Sequence, residues 1–216
     1  MREQQYEKMK ERCVVTKIEN PITVYGEESK ESLGLAHICT GDGKGKTTSA
    51  LGLGLRASGY GYKVYMIQFL KSGMTGELYV TKHMSNFTIE QFGVDALKDR
   101  QKKISEFTDK TARFTFQPDE MEREAARAGW EHAKSIIASQ NYEMVILDEI
   151  NCVLDKGLIP VEEVIEMLRN RKNTEIFMTG RDAPKVLYEY VDYVSEILQV
   201  KHPWQKQIKA RRGIEY

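Results

Sequence analysis

Thr40-Gly41-Asp42-Gly43-Lys44-Gly45-Lys46-Thr47-Thr48 decides how this chain is read. A short apolar run, Leu33 to Cys39, precedes it, and Ala50 to Ser58, compatible with a helix, follows it. Strand, glycine-rich turn, lysine, threonines and helix form the layout of a phosphate-binding loop. Gly41, Gly43 and Gly45 let the backbone curl so that its N–H groups converge on phosphate oxygens. The helix start adds a partial positive charge. Lys46 adds a full one, and the Thr47 hydroxyl can hold Mg²⁺. One position departs from the pattern G-x-x-x-x-G-K-[ST]: counted back from Gly45, its first glycine falls on Thr40. A glycine-rich turn with a chance lysine is the bland alternative. The motif predicts a bound nucleoside triphosphate and leaves the reaction open.

Outward from the loop, strands alternate with helices. Lys63 to Leu70, Phe87 to Phe92, Tyr142 to Leu147, Thr174 to Met178 and Val194 to Val200 read as further strands. Pro118, Asp119 and Glu120 suit a helix start, with Met121, Ala125, Ala128 and Ile136 as its apolar stripe. Val161, Val164, Ile165 and Leu168 repeat at helical spacing behind Pro160. The alternation predicts an α/β fold: a mostly parallel sheet with helices on both faces, joined by right-handed crossovers. Ligands of such sheets sit at the carboxyl ends of the strands. The first stretch, residues 1–32, is polar and charged and reads as an arm; residues 33–216 read as the nucleotide-binding catalytic domain.

The chain has 216 residues with 32 basic and 32 acidic side chains, and this balance argues against nucleic acid as the main partner. The cluster Lys206, Lys209, Arg211, Arg212 reads as a solvated or phosphate-facing tail. No apolar run approaches the ~20 residues of a membrane span, and Met1 to Arg12 lacks a signal-peptide core. Cys13, Cys39 and Cys152 form neither a C-x-x-C pair nor a disulfide framework, so free thiols in a reducing cytoplasm are expected.

Asp148-Glu149 closes the apolar strand Met144-Val145-Ile146-Leu147, where a phosphate-loop protein reaches its metal. Mg²⁺ keeps several waters and takes one or two carboxylates, so one of the pair is expected to bind it closely. Thr179-Gly180-Arg181 ends the next strand, and an arginine there points into the same crevice, where it can fork onto phosphate oxygens. A surface salt bridge is the alternative for Arg181, and spacing leaves Arg56, behind the first helix, open. His132 reads as a packed or capping histidine, and His202 as a weak substrate-contact candidate.

In this order the residues resemble a family, the ATP:corrinoid adenosyltransferases of the CobA/CobO/BtuR type. The resemblance rests on the loop Thr40 to Thr48, Gln68-Phe69-Leu70-Lys71, Phe114-Thr115-Phe116 and Trp130-Glu131-His132-Ala133-Lys134. It continues through Leu147-Asp148-Glu149, Leu158 to Val164, Thr179-Gly180-Arg181, Ser195-Glu196, Val200-Lys201-His202 and Gly213-Ile214-Glu215-Tyr216. It implies a P-loop, RecA-like fold and transfer of the 5′-deoxyadenosyl group of ATP to the Co(I) of a corrinoid, with triphosphate leaving. It implies catalytic roles for Lys46, Glu149 and Arg181, and ATP binding by Gly41, Asp42, Gly43, Lys44, Gly45, Lys46, Thr47 and Thr48, with Arg56 and Arg181. Mg²⁺ is expected on Thr47, Glu149 and Asp148, and the corrinoid on Phe114, Phe116 and His202. Phe116 stands where the family has tryptophan, and Pro118-Asp119 replaces its Thr-Gln. An electron donor such as a flavoprotein and a homodimer, whose polar arm covers the partner's site, are likewise implied. The rival readings are a P-loop ATPase that couples hydrolysis to motion, a small-molecule kinase, and a corrinoid-binding module without turnover.

Overall fold

The computed structural model describes residues 32–73, 75–93 and 120–215. Residues 1–31 of the expected arm, and Phe114, Phe116, Pro118 and Asp119, lie outside the described residues. The strands are β1 (Ala36–Thr40), β2 (Val64–Phe69), β3 (Phe87–Phe92), β4 (Met144–Asp148), β5 (Glu175–Thr179) and β6 (Tyr193–Glu196). They form one sheet in the order β3-β2-β4-β5-β1-β6, and every pairing is parallel. The helices are α1 (Lys46–Gly59), α2 (Gly76–Thr81), α3 (Glu120–Ser139), α4 (Ile150–Asp155) and α5 (Val161–Arg169). This is the expected α/β architecture.

Alternation along the strands fills both faces. Tyr65, Ile67, Val145, Leu147, Ile176 and Met178 point into a core shared with Ala126, Trp130 and Ala133 of α3 and Val164 and Leu168 of α5. Their neighbours Val64, Met66, Met144, Ile146 and Phe177 point the other way, against Ala50 and Ala57 of α1. Side chains on a strand alternate faces, so continuous apolar runs such as Val64 to Phe69 mark strands covered on both sides. α1 lies very close to the sheet: a Cβ on Gly54 would come within 2.7 Å of the Phe87 ring.

The buried face of α3 differs from the expected stripe. Met121 is 60% exposed, Ala128 is also exposed and Ala125 and Ile136 are half-buried. Glu122, Ala126, Gly129, Trp130, Ala133 and Ile137 are buried instead. Space selects this face: a Cβ on Gly129 would lie 2.8 Å from Phe92 Cβ and 2.9 Å from the Phe69 ring. The closest approach of α3 to the sheet is therefore at Gly129, beside the flat Trp130 indole. The indole Nε1–H donates to Glu163 Oε2 of α5 at 2.8 Å. His132 is the packed histidine expected, 2.9 Å from the Tyr65 hydroxyl and 3.1 Å from Glu90 Oε2. β6 is shorter than the run Val194 to Val200 and lies exposed at the sheet edge.

At the amino end of the sheet Glu175 accepts from the N–H groups of Gly34 and Leu35 and pairs with His37 Nε2 at 2.6 Å. Burial raises its pKa, but the bonds from His37, Leu35 and Gly34 outweigh burial and hold it below the ordinary 4.5. A folded-state pKa below the unfolded one gives stability that is full above the ordinary value and lost as pH falls through the folded one. Glu175→Gln should therefore destabilise the protein at neutral pH, and its deficit against the unmutated protein should shrink as pH falls below 4.5. Urea midpoints across that range measure it; a constant deficit would contradict the assignment.

Candidate functional site

The loop after β1 opens at Gly41, with φ 101°, and closes at Gly45, with φ 130°, both in the region L side chains rarely adopt. Thr40 is still the last residue of β1. It is buried, and its Oγ1 accepts from the Ala183 N–H at 3.2 Å. The departure from the usual pattern therefore has a structural reason: the turn needs its first glycine at Gly41, and Thr40 ties β1 to the segment beyond β5. The segment after β6 braces the loop. The Ile197 N–H donates to Thr40 O, the Gly43 N–H donates to Ile197 O, and the Gln199 N–H donates to Asp42 Oδ1. A Cβ on Gly41 would lie 2.4 Å from Ile197 O, so glycine is required there for approach as well as for φ.

Lys46 begins α1, which has no acidic residue in its first turn and no side-chain cap. Its free N–H groups and the positive end of its dipole are open to an anion. The Lys46 ammonium is buried and donates to Gly41 O at 2.7 Å and Gly43 O at 2.8 Å, holding the loop in its curl.

Asp148, fully buried at the end of β4, is the hub of the site. Its Oδ1 accepts from Thr47 Oγ1 at 2.9 Å and Thr179 Oγ1 at 2.6 Å. Its Oδ2 accepts from Gln68 Nε2 at 3.1 Å and Lys71 Nζ at 2.5 Å. Lys71 also donates to Thr47 Oγ1 at 3.2 Å. A carboxylate offers about four lone-pair positions, and here the protein fills them all. Sheet order explains the convergence: β4 lies between β2, which brings Gln68 and leads to Lys71, and β5, which brings Thr179. The roles of Lys71, Gln68 and Thr179 are not legible from spacing, although their motifs are.

Glu149 follows with φ 65°, a left-handed conformation unusual outside glycine, and its N–H donates to Thr179 Oγ1 at 3.0 Å. With Arg181, His202, Lys46, Thr47 and Glu215 it lines a cavity of about 330 Å³ above the loop. Cys152 Sγ is 3.1 Å from Glu149 Oε2 and 3.2 Å from the Arg181 nitrogen. Burial, and then the charge of Glu149, push the Cys152 thiol up to about 12. A second cavity of about 510 Å³ adjoins the first, sharing Thr47, Thr48, Ile214 and Glu215. Leu51, Leu70, Phe92 and Ala125 give it a more apolar wall, with Glu122 and Lys71 among its polar lining.

The chain's last residues cover the loop. Lys44 Nζ donates to Ile214 O at 3.2 Å and Glu215 Oε1 at 3.0 Å. Bonds from the Arg211 side chain and backbone, then from Lys44, bring the Glu215 carboxyl down to about 2. Sequence reading gave this contact no role because it joins residues 170 and 171 positions apart.

The structure thus brings together Gly41 to Thr48, Asp148, Glu149, Arg181 and His202. It does not bring Arg56 to them: that side chain is exposed in the last turn of α1, about 15 Å along the helix from Lys46 at ~1.5 Å per residue. Thr47 and Glu149 offer hard oxygens, as Mg²⁺ requires, with the Lys71 ammonium 3.2 Å from Thr47 Oγ1. Among the described residues no three His, Cys, Asp or Glu side chains form a metal cluster, so a cation here would depend on phosphate and water oxygens as well. No helix of the described residues is long and apolar enough to cross a membrane.

The chain is 34% identical over 193 residues to the corrinoid adenosyltransferase of Escherichia coli (strain K12), covering 88% of this chain and 89% of that one. It is 31% identical over 204 residues to the corrinoid adenosyltransferase CobA of Salmonella typhimurium, covering 93% and 94%. A corrinoid adenosyltransferase of Sinorhizobium sp. is 34% identical over 189 residues, covering 85% and 80%. Residues 32–216 match the family described as ATP:corrinoid adenosyltransferase BtuR/CobO/CobP, and the chain belongs to that family.

Proposed function

We propose that this ATP:corrinoid adenosyltransferase holds the triphosphate of ATP in the cavity above the loop and presents the ribose 5′-carbon toward the adjoining, more apolar cavity. The observation that carries this reading is the junction of the two cavities at Thr47 and Thr48. One side offers Lys46, Lys44, Arg181 and backbone N–H groups; the other adds the apolar side chains of Leu51, Leu70, Phe92 and Ala125. The Co(I) of the corrinoid substrate attacks C5′, a cobalt–carbon bond forms, the C5′–O bond breaks, and its electron pair leaves with triphosphate. Negative charge grows on the departing oxygen, and preorganised cations and N–H groups stabilise that state more than the ground state. No protein side chain is needed as nucleophile.

Thr47 and Glu149 would hold Mg²⁺, which when bound supplies Lewis-acid neutralisation of phosphate charge. Asp148 is expected to act from behind: its oxygens are filled by Thr47, Thr179, Gln68 and Lys71, so it fixes the Thr47 hydroxyl and leaves Glu149 to face the ion. His202, on the phosphate side, would meet substrate there. Phe114 and Phe116 are proposed to contact the corrinoid. A cytoplasmic homodimer, a polar arm over the partner's site and reduction by a flavoprotein complete the reading.

Mixing the protein with ATP, Mg²⁺ and chemically reduced cobalamin should give the spectrum of an alkylated cobalt and one triphosphate per corrinoid. ADP and phosphate without a cobalt–carbon bond would favour the ATPase reading instead.

A further inference from the structure

We propose that Cys152 is a positioning residue of the transfer reaction, clamping the Glu149 carboxylate and the Arg181 backbone in one register. The inference rests on the proposed roles of Glu149 and Arg181. Those two residues follow different strands, β4 and β5, and among the described residues no hydrogen bond joins their side chains directly. Cys152 lies on α4, three residues beyond Glu149. Its Sγ–H donates to Glu149 Oε2 at 3.1 Å, and its sulfur accepts from the Arg181 N–H at 3.2 Å. The Arg181 carbonyl is 3.9 Å from the same sulfur.

The approach is built into the backbone. Gly180 has φ 133°, and a Cβ there would lie 2.9 Å from both Asn151 Cβ and the Cys152 nitrogen. The Asn151 side-chain amide donates to Gly180 O at 3.3 Å. The turn bearing Arg181 is thereby pressed onto the first turn of α4, which brings the Cys152 thiol between it and Glu149. A thiol fits and still donates to a carboxylate; alanine removes the donor, and valine keeps bulk without it. Glu149 needs such a tether because its carboxylate lines the cavity, and among the described residues the Cys152 thiol is the one group that hydrogen-bonds it. Groups that orient metal-holding side chains commonly matter nearly as much as the ligands.

The test is the series Cys152→Ala, Cys152→Val and Cys152→Ser with ATP and preformed Co(I) cobalamin. Ala and Val should lower kcat about ten-fold while KM for ATP stays within about two-fold, and Ser, which keeps donor and acceptor, should restore most of kcat. Unchanged kcat in Ala and Val overturns the proposal. So does a loss of kcat that tracks a fall in urea midpoint and is not restored by Ser. A second measurement needs no corrinoid: the infrared S–H stretch lost in Cys152→Ser should lie at a hydrogen-bonded frequency and move to the free-thiol position in Glu149→Ala. An unmoved band overturns the clamp whether or not the transfer reading holds. Absence of any cobalt–carbon bond with the unmutated protein would instead count against that reading.

Discussion

Lys46→Ala should lower kcat for adenosyl transfer by about a hundred- to a thousand-fold, equivalent to about 3–4 kcal/mol of charge stabilisation at a preorganised site. The ammonium is nearly buried, stands at the first residue of α1 and faces the cavity that Glu149 and Arg181 also line. It also holds the carbonyls of Gly41 and Gly43. Part of the loss will therefore come from a loosened loop. Folding stability should fall by only about 1–2 kcal/mol, because two exchangeable bonds to carbonyls are lost in a turn that Ile197 still braces. Single-turnover kinetics with preformed Co(I) cobalamin, alongside urea unfolding, separate the two effects. A variant as fast as the unmutated enzyme would remove the loop from the mechanism.

Asp148→Ala should be the most damaging single change to both folding and activity. Removing the carboxylate orphans donors from Thr47, Thr179, Gln68 and Lys71 at a fully buried point. Breaking a buried pair by deleting one partner costs about 3–5 kcal/mol; Lys71 is 26% exposed and can reach water, so the lower end applies. Asp148→Asn should recover only part of the loss. Its oxygen can still accept from Thr47 and Thr179, but its NH₂ then faces the donors of Lys71 and Gln68. Urea unfolding and ATP affinity measured together check this. An alanine variant with unmutated stability would contradict the hub.

Much of the phosphate half of the site was legible because it is contiguous. Residues 40–48 carry the glycines, the lysine and the hydroxyl in one short segment, and Asp148-Glu149 sits at the end of an apolar strand. The core was legible where burial is two-sided, as in Val64 to Phe69. The face of α3 was not. Hydrophobic spacing pointed to Met121 and Ala128, whereas the face that packs is the one whose Gly129 lets α3 approach Phe69 and Phe92. Spacing reports which residues avoid water; it does not report how close two surfaces come.

The sequence by itself determined the α/β class, the phosphate loop and, through its ordered motifs, the family. It did so because each of these signals lies within a strand, a turn or a helix start, where local chemistry suffices. Only the tertiary structure decided that Lys71, Gln68 and Thr179 serve Asp148, that Thr40 rather than glycine ends β1, and that Lys44 is held by Ile214 and Glu215. These contacts follow from the strand order β2-β4-β5-β1-β6 and from the return of the chain's end onto the loop. They join residues far apart in the chain, and packing alone sets which of many possible partners a buried carboxylate meets.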